Sequence, residues 1–418
     1  MTTTTTTTAG GVKVIKPTVG SYIHDYWGRV RGGDLGSLPA ILGLIVLSLI
    51  FGIATDTFVS GLNFANLFNQ SAQVVFIAMG LIFVLLLGEI DLSAGFASGV
   101  CGAIVAILLT NHNWEWYTAI PVALITGIVI GFVLGFLVAK IGIPSFVVTL
   151  AAFLGFQGLL LVLLGGGTNI STRNNFFNSL NNDNLSVTWS WILAVAGVVG
   201  YAAVQFNRVR ARAKRNLVTD PIGIVLLRVG GLAVLILGAT AVLSQERAIN
   251  PAINSLKGVP IVVPIIAFFL ILWTFVLGRT AYGRHVYAVG GNTEAARRAG
   301  IPVDRIRISV FVIGSFMAAI GGIMAVSRAQ SVDPNTGGSN ILLYSVGAAV
   351  IGGTSLFGGK GKVINAVIGG AVIAVIDNGM GLLGFSAGTK YIFTGIILLI
   401  AASVDALARR RAAATGNR

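Results

Sequence analysis

The chain has 418 residues, 55% hydrophobic and only 10% charged, with 28 Lys and Arg against 14 Asp and Glu for a net charge of +14. Soluble domains carry about a quarter charged residues, so this composition excludes one. The single cysteine, Cys101, excludes a disulfide framework. The basic residues stand beside apolar stretches and form no single patch, which argues against nucleic acid as a partner.

In chain order, residues 1–36 come first. The Thr2–Thr8 run is polar, and no apolar core or cleavage site follows, so no signal peptide is read here. A partly disordered cytoplasmic tail carrying Lys13, Lys16, Arg29 and Arg31 is expected. A membrane-crossing helix needs about 20 apolar residues. Segments of that kind are predicted at 37–57, 69–88, 93–110, 117–139, 146–165, 189–206, 221–243, 260–278, 308–327, 341–357, 363–382 and 389–407. The expected fold is therefore an all-α polytopic membrane protein with about 10–12 transmembrane helices. The count stays open because the Glu89–Ser93 junction is very short and 341–357 is short and Gly-rich. Broken or re-entrant helices are expected near 88–95 and 352–360.

Crossing at every segment places three basic stretches, the loops Arg208–Arg215 and Arg279–Arg307 and the tail Arg409–Arg411, on the side of the N-terminus. By the positive-inside rule that side is cytoplasmic, as are both termini. The organisation expected is a tail at 1–36, a membrane domain at 37–407 with a large cytoplasmic loop at 279–307, and a basic tail at 408–418. On the outer side, Gly165–Ser186 and Gln245–Lys257 are polar and turn-rich. They read equally as docking surfaces or as ordinary loops.

Residues with chemistry are few. His24, His112 and His285 lack metal-ligand spacing, and no metal or cofactor site is expected. Gly359-Lys360 fails as a phosphate loop, since Thr354 and Gly361 stand where that motif needs Gly and Ser or Thr. No catalytic constellation is found. Acids within membrane segments are functional candidates because they are costly to insert. Glu89, Asp91 and Asp377 qualify, with Ser93, Gln157 and Asn378 as polar neighbours on a translocation pathway. The alternative for Asp91 or Ser93 is a helix cap. Gln70, Gln73 and Thr149 read as packing groups ahead of ligands. Ile143-Pro144-Ser145-Phe146 is a second cytoplasmic contact element or a turn.

The most defined polar segment is Gly290-Gly291-Asn292-Thr293-Glu294-Ala295-Ala296-Arg297-Arg298-Ala299-Gly300-Ile301-Pro302. Asn292 or Thr293 caps a short helix, Glu294 suits its positive end, and Arg297 and Arg298 suit its negative end. Gly300 favours a left-handed exit and Pro302 prevents continuation. Ala295, Ala296 and Ala299 are expected to share one smooth face suited to docking. A weaker echo relates Gly88–Gly95 to Gly352–Gly359, each between apolar segments, as in transporters built from two halves.

Glu294-Ala295-Ala296 with Gly300 resembles the EAA-x-x-x-G loop of ABC importer permeases. The string from Gly278-Arg279-Thr280-Ala281-Tyr282-Gly283-Arg284 to Ala299-Gly300-Ile301 is similar to that of the monosaccharide branch, the ribose, galactose and xylose permeases. Gly88-Glu89-Ile90-Asp91-Leu92-Ser93-Ala94-Gly95 and Val350–Gly359 resemble two further motifs of that branch, in the expected order over about 40–407. The extra region 207–259 is more like the longer xylose-type members. The resemblance implies a non-catalytic permease subunit in the bacterial plasma membrane. It implies a homodimeric pore, two cytoplasmic ATPase subunits and an extracytoplasmic binding protein that delivers the monosaccharide. Asn292, Thr293, Glu294, Ala295, Ala296, Arg297, Arg298, Ala299 and Gly300 would form the helix that contacts the ATPase, flanked by Arg284 and Arg305. The competing reading is a proton- or cation-coupled secondary transporter that uses Glu89, Asp91 and Asp377.

Overall fold

The computed structural model describes residues 5–6, 14–15, 20–22, 24, 27–28, 36–248, 250–252 and 255–414. Lys13, Lys16, Arg29 and Arg31, and the last four residues of the basic tail, lie outside them. Among the described residues two strand pairs occur. β1 (Thr5–Thr6) pairs antiparallel with β2 (Val14–Ile15), and β3 (Ile170–Ser171) with β4 (Ser331–Val332). Every longer element among the described residues is helix. Among the described residues nine helices are long and apolar enough to cross a membrane, and three more are apolar but shorter.

The described residues divide into two compact units. One comprises Gly36–Asp183 and Pro260–Ala406, and the other is built on Asn184–Val259. The larger unit begins with α1 (Leu38–Ala54), a short apolar helix. Then come α2 (Gly61–Leu86), α3 (Ala94–Thr110) and α4 (Trp116–Phe136), the last drawn out by a π turn over Leu137–Ile141. α5 (Ser145–Leu163) and α6 (Asn175–Ser179) complete its first part. After the gap in sequence it resumes with α9 (Val262–Arg279), α10 (Ala281–Gly291), α11 (Thr293–Arg298) and α12 (Val303–Ala329). α13 (Ser339–Ile351), α14 (Ile364–Leu382) and α15 (Ala387–Ala414) follow, the last belonging to this unit up to Ala406.

The core of this unit is α2, whose residues Val74–Leu86 are buried throughout, with α3, α12, α13 and α14 around it. Lipid chains are as apolar as leucine, so helix association here depends on close packing. The glycines supply it. Gly127, Gly131 and Gly135 recur every fourth residue along one face of α4 and lie directly on the α12 backbone at Ser315, Phe311 and Ile308. Gly80 of α2 meets Gly314 of α12, where an added methyl group would stand 2.8 Å from the Gly314 carbonyl oxygen. α5 has no such stripe, and nothing lies near Gly155 or Gly158.

The smaller unit is a helical hairpin, α7 (Val187–Lys214) and α8 (Ile222–Leu243), closed by a bonded loop. Arg228 pairs with Asp220 at 2.8 Å and also donates to the Tyr22 hydroxyl. The buried Arg247 guanidinium donates to the carbonyls of Leu243 and Gly258 and to Asn184. Glu246 accepts from the Ala248 and Leu256 amides and from the Ser255 hydroxyl, and these bonds pull its carboxyl down to about 2.

Three expectations change. Arg208–Lys214 is the last part of α7 and no loop, because cations suit the negative end of a helix. The final helix likewise runs on through 409–411. The helix expected over 341–357 stops at Ile351, where Gly353, Gly358 and Gly359 take positive φ and leave helical geometry.

Candidate functional site

The 292–300 segment is built as its residues dictate. Asn292 is extended (φ −159°) and its side chain accepts from the Ala295 amide at 2.9 Å, so it caps α11. Thr293 acts backwards, donating to the Val289 carbonyl at 3.0 Å and so closing α10. Glu294 and Arg297 form an exposed i,i+3 ion pair. Gly300 exits at φ +80°; its amide bonds Arg297 and the Ile301 amide bonds Ala296, a Schellman closure. Pro302 then precedes the first residue of α12.

The alanine face departs from expectation. Ala296 is buried against the helices behind it, while Ala295 and Ala299, four residues apart, are exposed. At 100° per residue, Ala296 cannot join both. The free face is therefore Glu294, Ala295, Arg298 and Ala299, with Arg284 and Arg305 exposed nearby in sequence.

A second helix, α10, precedes this segment, where the basic residues predict a loop. Thr280 caps it by accepting from the Gly283 amide, and Val286 and Val289 form its buried stripe. That stripe and the Thr cap were legible signals, masked by the basic residues around them. Tyr282 bonds Ser309 of α12 at 2.8 Å, and Tyr287 donates to the Gly361 carbonyl at 2.8 Å.

Three motifs far apart in sequence meet here. Gly290 lies on the Leu86 carbonyl oxygen, so closely that a methyl group would overlap it. The Gly359 amide donates to the same oxygen at 2.8 Å. Gly358 fits between the Gly290 carbonyl and the Gly88 amide. The C-terminal end of α2, the 352–361 loop and the end of α10 are thus held backbone to backbone. Glu89 forms an ion pair with Arg307 at 3.0 Å, joining the break after α2 to the first turns of α12. Lys140 pairs with Asp304 at 2.7 Å on that same helix start.

The break at 87–93 is anchored on its other side too. The Ile90 amide donates to Ser145 Oγ, and Thr149 Oγ1 donates to the Ile90 carbonyl. Ile143–Ser145 is therefore a turn that leads into α5 and receives the break. Buried Asp91 accepts from both the amide (2.8 Å) and the hydroxyl (2.6 Å) of Ser93, the residue just before α3, whose first turn has no side-chain cap bond.

The six pathway candidates do not form one cluster. Glu89, Asp91 and Ser93 share the break, and Gln157 is exposed on α5. Asp377 pairs with Lys390 at 3.3 Å. Its neighbour Asn378 turns inward, exchanging amide hydrogen bonds with Asn63 (2.9 and 2.8 Å) and donating to Gln70. The asparagines of 165–186 are largely spent within the chain. Asn174 caps α6, and the Asn181 and Asn182 side chains bond the Met324 and Ser327 carbonyls at the end of α12.

The family described as branched-chain amino acid transport system / permease component matches residues 63–402. The xylose transport system permease protein of Escherichia coli (strain K12) is 34% identical over 402 residues, 96% of this chain and 98% of its own length. The corresponding Haemophilus influenzae protein is 33% identical over 90% of this chain and 98% of its own length. The ribose import permease protein of Bacillus subtilis (strain 168) is 29% identical over 89% and 94%. No solved structure matches the chain.

Proposed function

The chain belongs to the family of branched-chain amino acid transport system permease components, and from that premise we propose that it is the membrane subunit of an ATP-driven importer for a monosaccharide, a xylose-like pentose. It is a multi-pass protein of the bacterial inner membrane, and its family is one of transport permeases. Two features of the relatives bear on the substrate. The relatives named for xylose or ribose transport match nearly end to end, which favours sugar over the amino acids in the family description, and the xylose proteins extend over more of the chain than the ribose proteins do, which favours xylose.

One observation carries the coupling role. The short helix with the exposed Glu294, Ala295 and Ala299 is rooted, through Gly290, on the end of the most buried helix and on the 352–361 loop. A push on the exposed face reaches the membrane core through backbone contacts, with no flexible side chain between. In this reading ATP is hydrolysed by two separate subunits bound at 292–300, both termini are cytoplasmic, two copies of the chain form the pore, and a binding protein delivers sugar from outside. Two of the three intramembrane acids suit this better than proton coupling, since Glu89 and Asp377 each already face a cation.

The test is uptake by membranes carrying the complete transporter. D-xylose accumulation should cease on ATP depletion and survive an uncoupler, and L-leucine should not be accumulated. Gly300 has open space around it, so Gly300→Val strains only the backbone. That variant should lose uptake while the binding protein still captures sugar. Undiminished uptake would count against the coupling assignment.

A further inference from the structure

Beyond the break at 87–93, a second irregular segment enters the membrane domain from the opposite end of α12. After β4 the chain runs back along α3, with Thr336 against Gly99 and Gly337 against Gly95, before α13 begins at Ser339. The start of α13 therefore lies beside the first turns of α3, next to the far end of α14 and the first turn of α15. Asn335, Asn340, Tyr344, Asp377, Lys390 and Tyr391 line a cleft of about 290 Å³ there. We propose that this cleft is a contact site for a single neutral, hydroxyl-rich ring, a monosaccharide, on its way through the protein. The proposal rests on the importer reading and adds to it where the pathway touches its cargo.

Water reaches the cleft. The Asp377 side chain is 48% exposed although it stands on an apolar helix, and a carboxylate that open inside a membrane segment faces an aqueous cavity. Asp377 pairs with Lys390 at 3.3 Å and has Arg328 within electrostatic reach, so its charge is met within the protein and the cleft offers no free carboxylate to a cation. What remains are amides and phenols, which both donate to and accept from hydroxyls, a carboxylate, which accepts from them, and two tyrosine rings whose faces suit the C–H side of a sugar. Asn340 donates to the Tyr391 hydroxyl at 2.6 Å, which holds these two polar groups together. Asn378, bonded to Asn63 and Gln70 on α2, fixes the rotation of α14 that turns Asp377 toward the cleft. Small-molecule pockets start at about 300 Å³, so the cleft is of a size to receive one sugar ring.

The experiment uses the full transporter in proteoliposomes, reading D-xylose uptake and ATP hydrolysis together. Asn340→Leu, Asp377→Asn and Tyr391→Leu should each lower uptake per ATP hydrolysed by about tenfold, the effect of one or two lost hydrogen bonds. Hydrolysis stimulated by the loaded binding protein should be unchanged, whereas a folding or coupling defect moves both readings. Tyr391→Phe, which keeps the ring, should fall between wild type and Tyr391→Leu. Unchanged uptake per ATP in all three variants would overturn the cleft. A wild-type transporter that moves no sugar would instead overturn the importer reading. In that event, saturation-transfer NMR of D-xylose on the permease alone decides the cleft. A signal lost in Tyr391→Leu supports it, and an equal signal in both rejects it.

Discussion

Gly290 shows how much can depend on the absence of one methyl group. Its backbone rests on the Leu86 carbonyl oxygen, which already accepts the Gly359 amide. Gly290→Ala must push the two segments apart, and overpacking of this kind costs about 1–3 kcal/mol. The expected result is a lower Tm for the purified protein in detergent and weaker coupling of ATP hydrolysis to uptake. A methyl group on Gly291, one residue on, would meet nothing, so Gly291→Ala should change neither. Glu246 is the other residue with a sharp expectation. Its carboxyl is lowered from 4.5 to about 2 by the Ser255 hydroxyl and the Leu256 and Ala248 amides. A lowered value means the loop it organises is fully supported above pH 4.5 and loses that support as pH falls toward 2. Hydrogen exchange at the Leu256 amide, corrected for its intrinsic rate, should be flat above pH 4.5 and rise below it. In Glu246→Gln it should be fast at every pH. At this scale the cap of Asn292 and the exit at Gly300 were legible, because both are bonds within five residues of chain. The turn of Ala296 away from Ala295 and Ala299 needed only helix geometry, applied one residue more strictly.

Among the elements, α4 and α5 make an instructive pair. Both are apolar helices with glycines, three in α4 and two in α5, yet only α4 places its own every fourth residue, and only α4 is pressed onto α12. Gly131→Leu should therefore prevent close approach to Phe311 and Val312 and destabilise the protein, whereas Gly155→Leu should be tolerated. Thermal unfolding of the two variants, compared at equal expression, checks this. The fourfold spacing was readable in the sequence, and the overall abundance of glycine concealed it. α10 was missed for a related reason, since its capped amphipathic pattern sits among basic residues that read as loop. The early stop of α13 could be suspected from its Gly-rich end. Its exact place depends on the positive φ angles of the 352–361 loop, which are set by what that loop packs against.

For the whole molecule, the significant fact is the junction where α2 ends, α10 ends and the 352–361 loop turns. Glu89 and Arg307 add a charge pair across it, partly buried on both sides. Breaking such a pair is worse than removing it, because the remaining charge stays buried. Glu89→Gln and Arg307→Met should each destabilise the protein, and the double variant should be better than the sum, with a coupling of about 0.5–3 kcal/mol in a double-mutant cycle of thermal stability. Additive effects would show that the two residues do not act together. The sequence by itself determined that the chain spans a membrane many times, where its short capped helix begins and ends, and which three motifs carry its kinship. These follow from hydropathy, from cap bonds within a turn and from residue order, all local properties. Only the tertiary structure decided that the three motifs are one place, that Glu89 and Asp377 are paired with cations, and that Asp377 and Asn378, adjacent in sequence, face a cleft and a core respectively. Those outcomes depend on which helices approach within a carbonyl's reach of one another, and in a chain this uniformly apolar the pattern of hydropathy is the same for every possible set of neighbours.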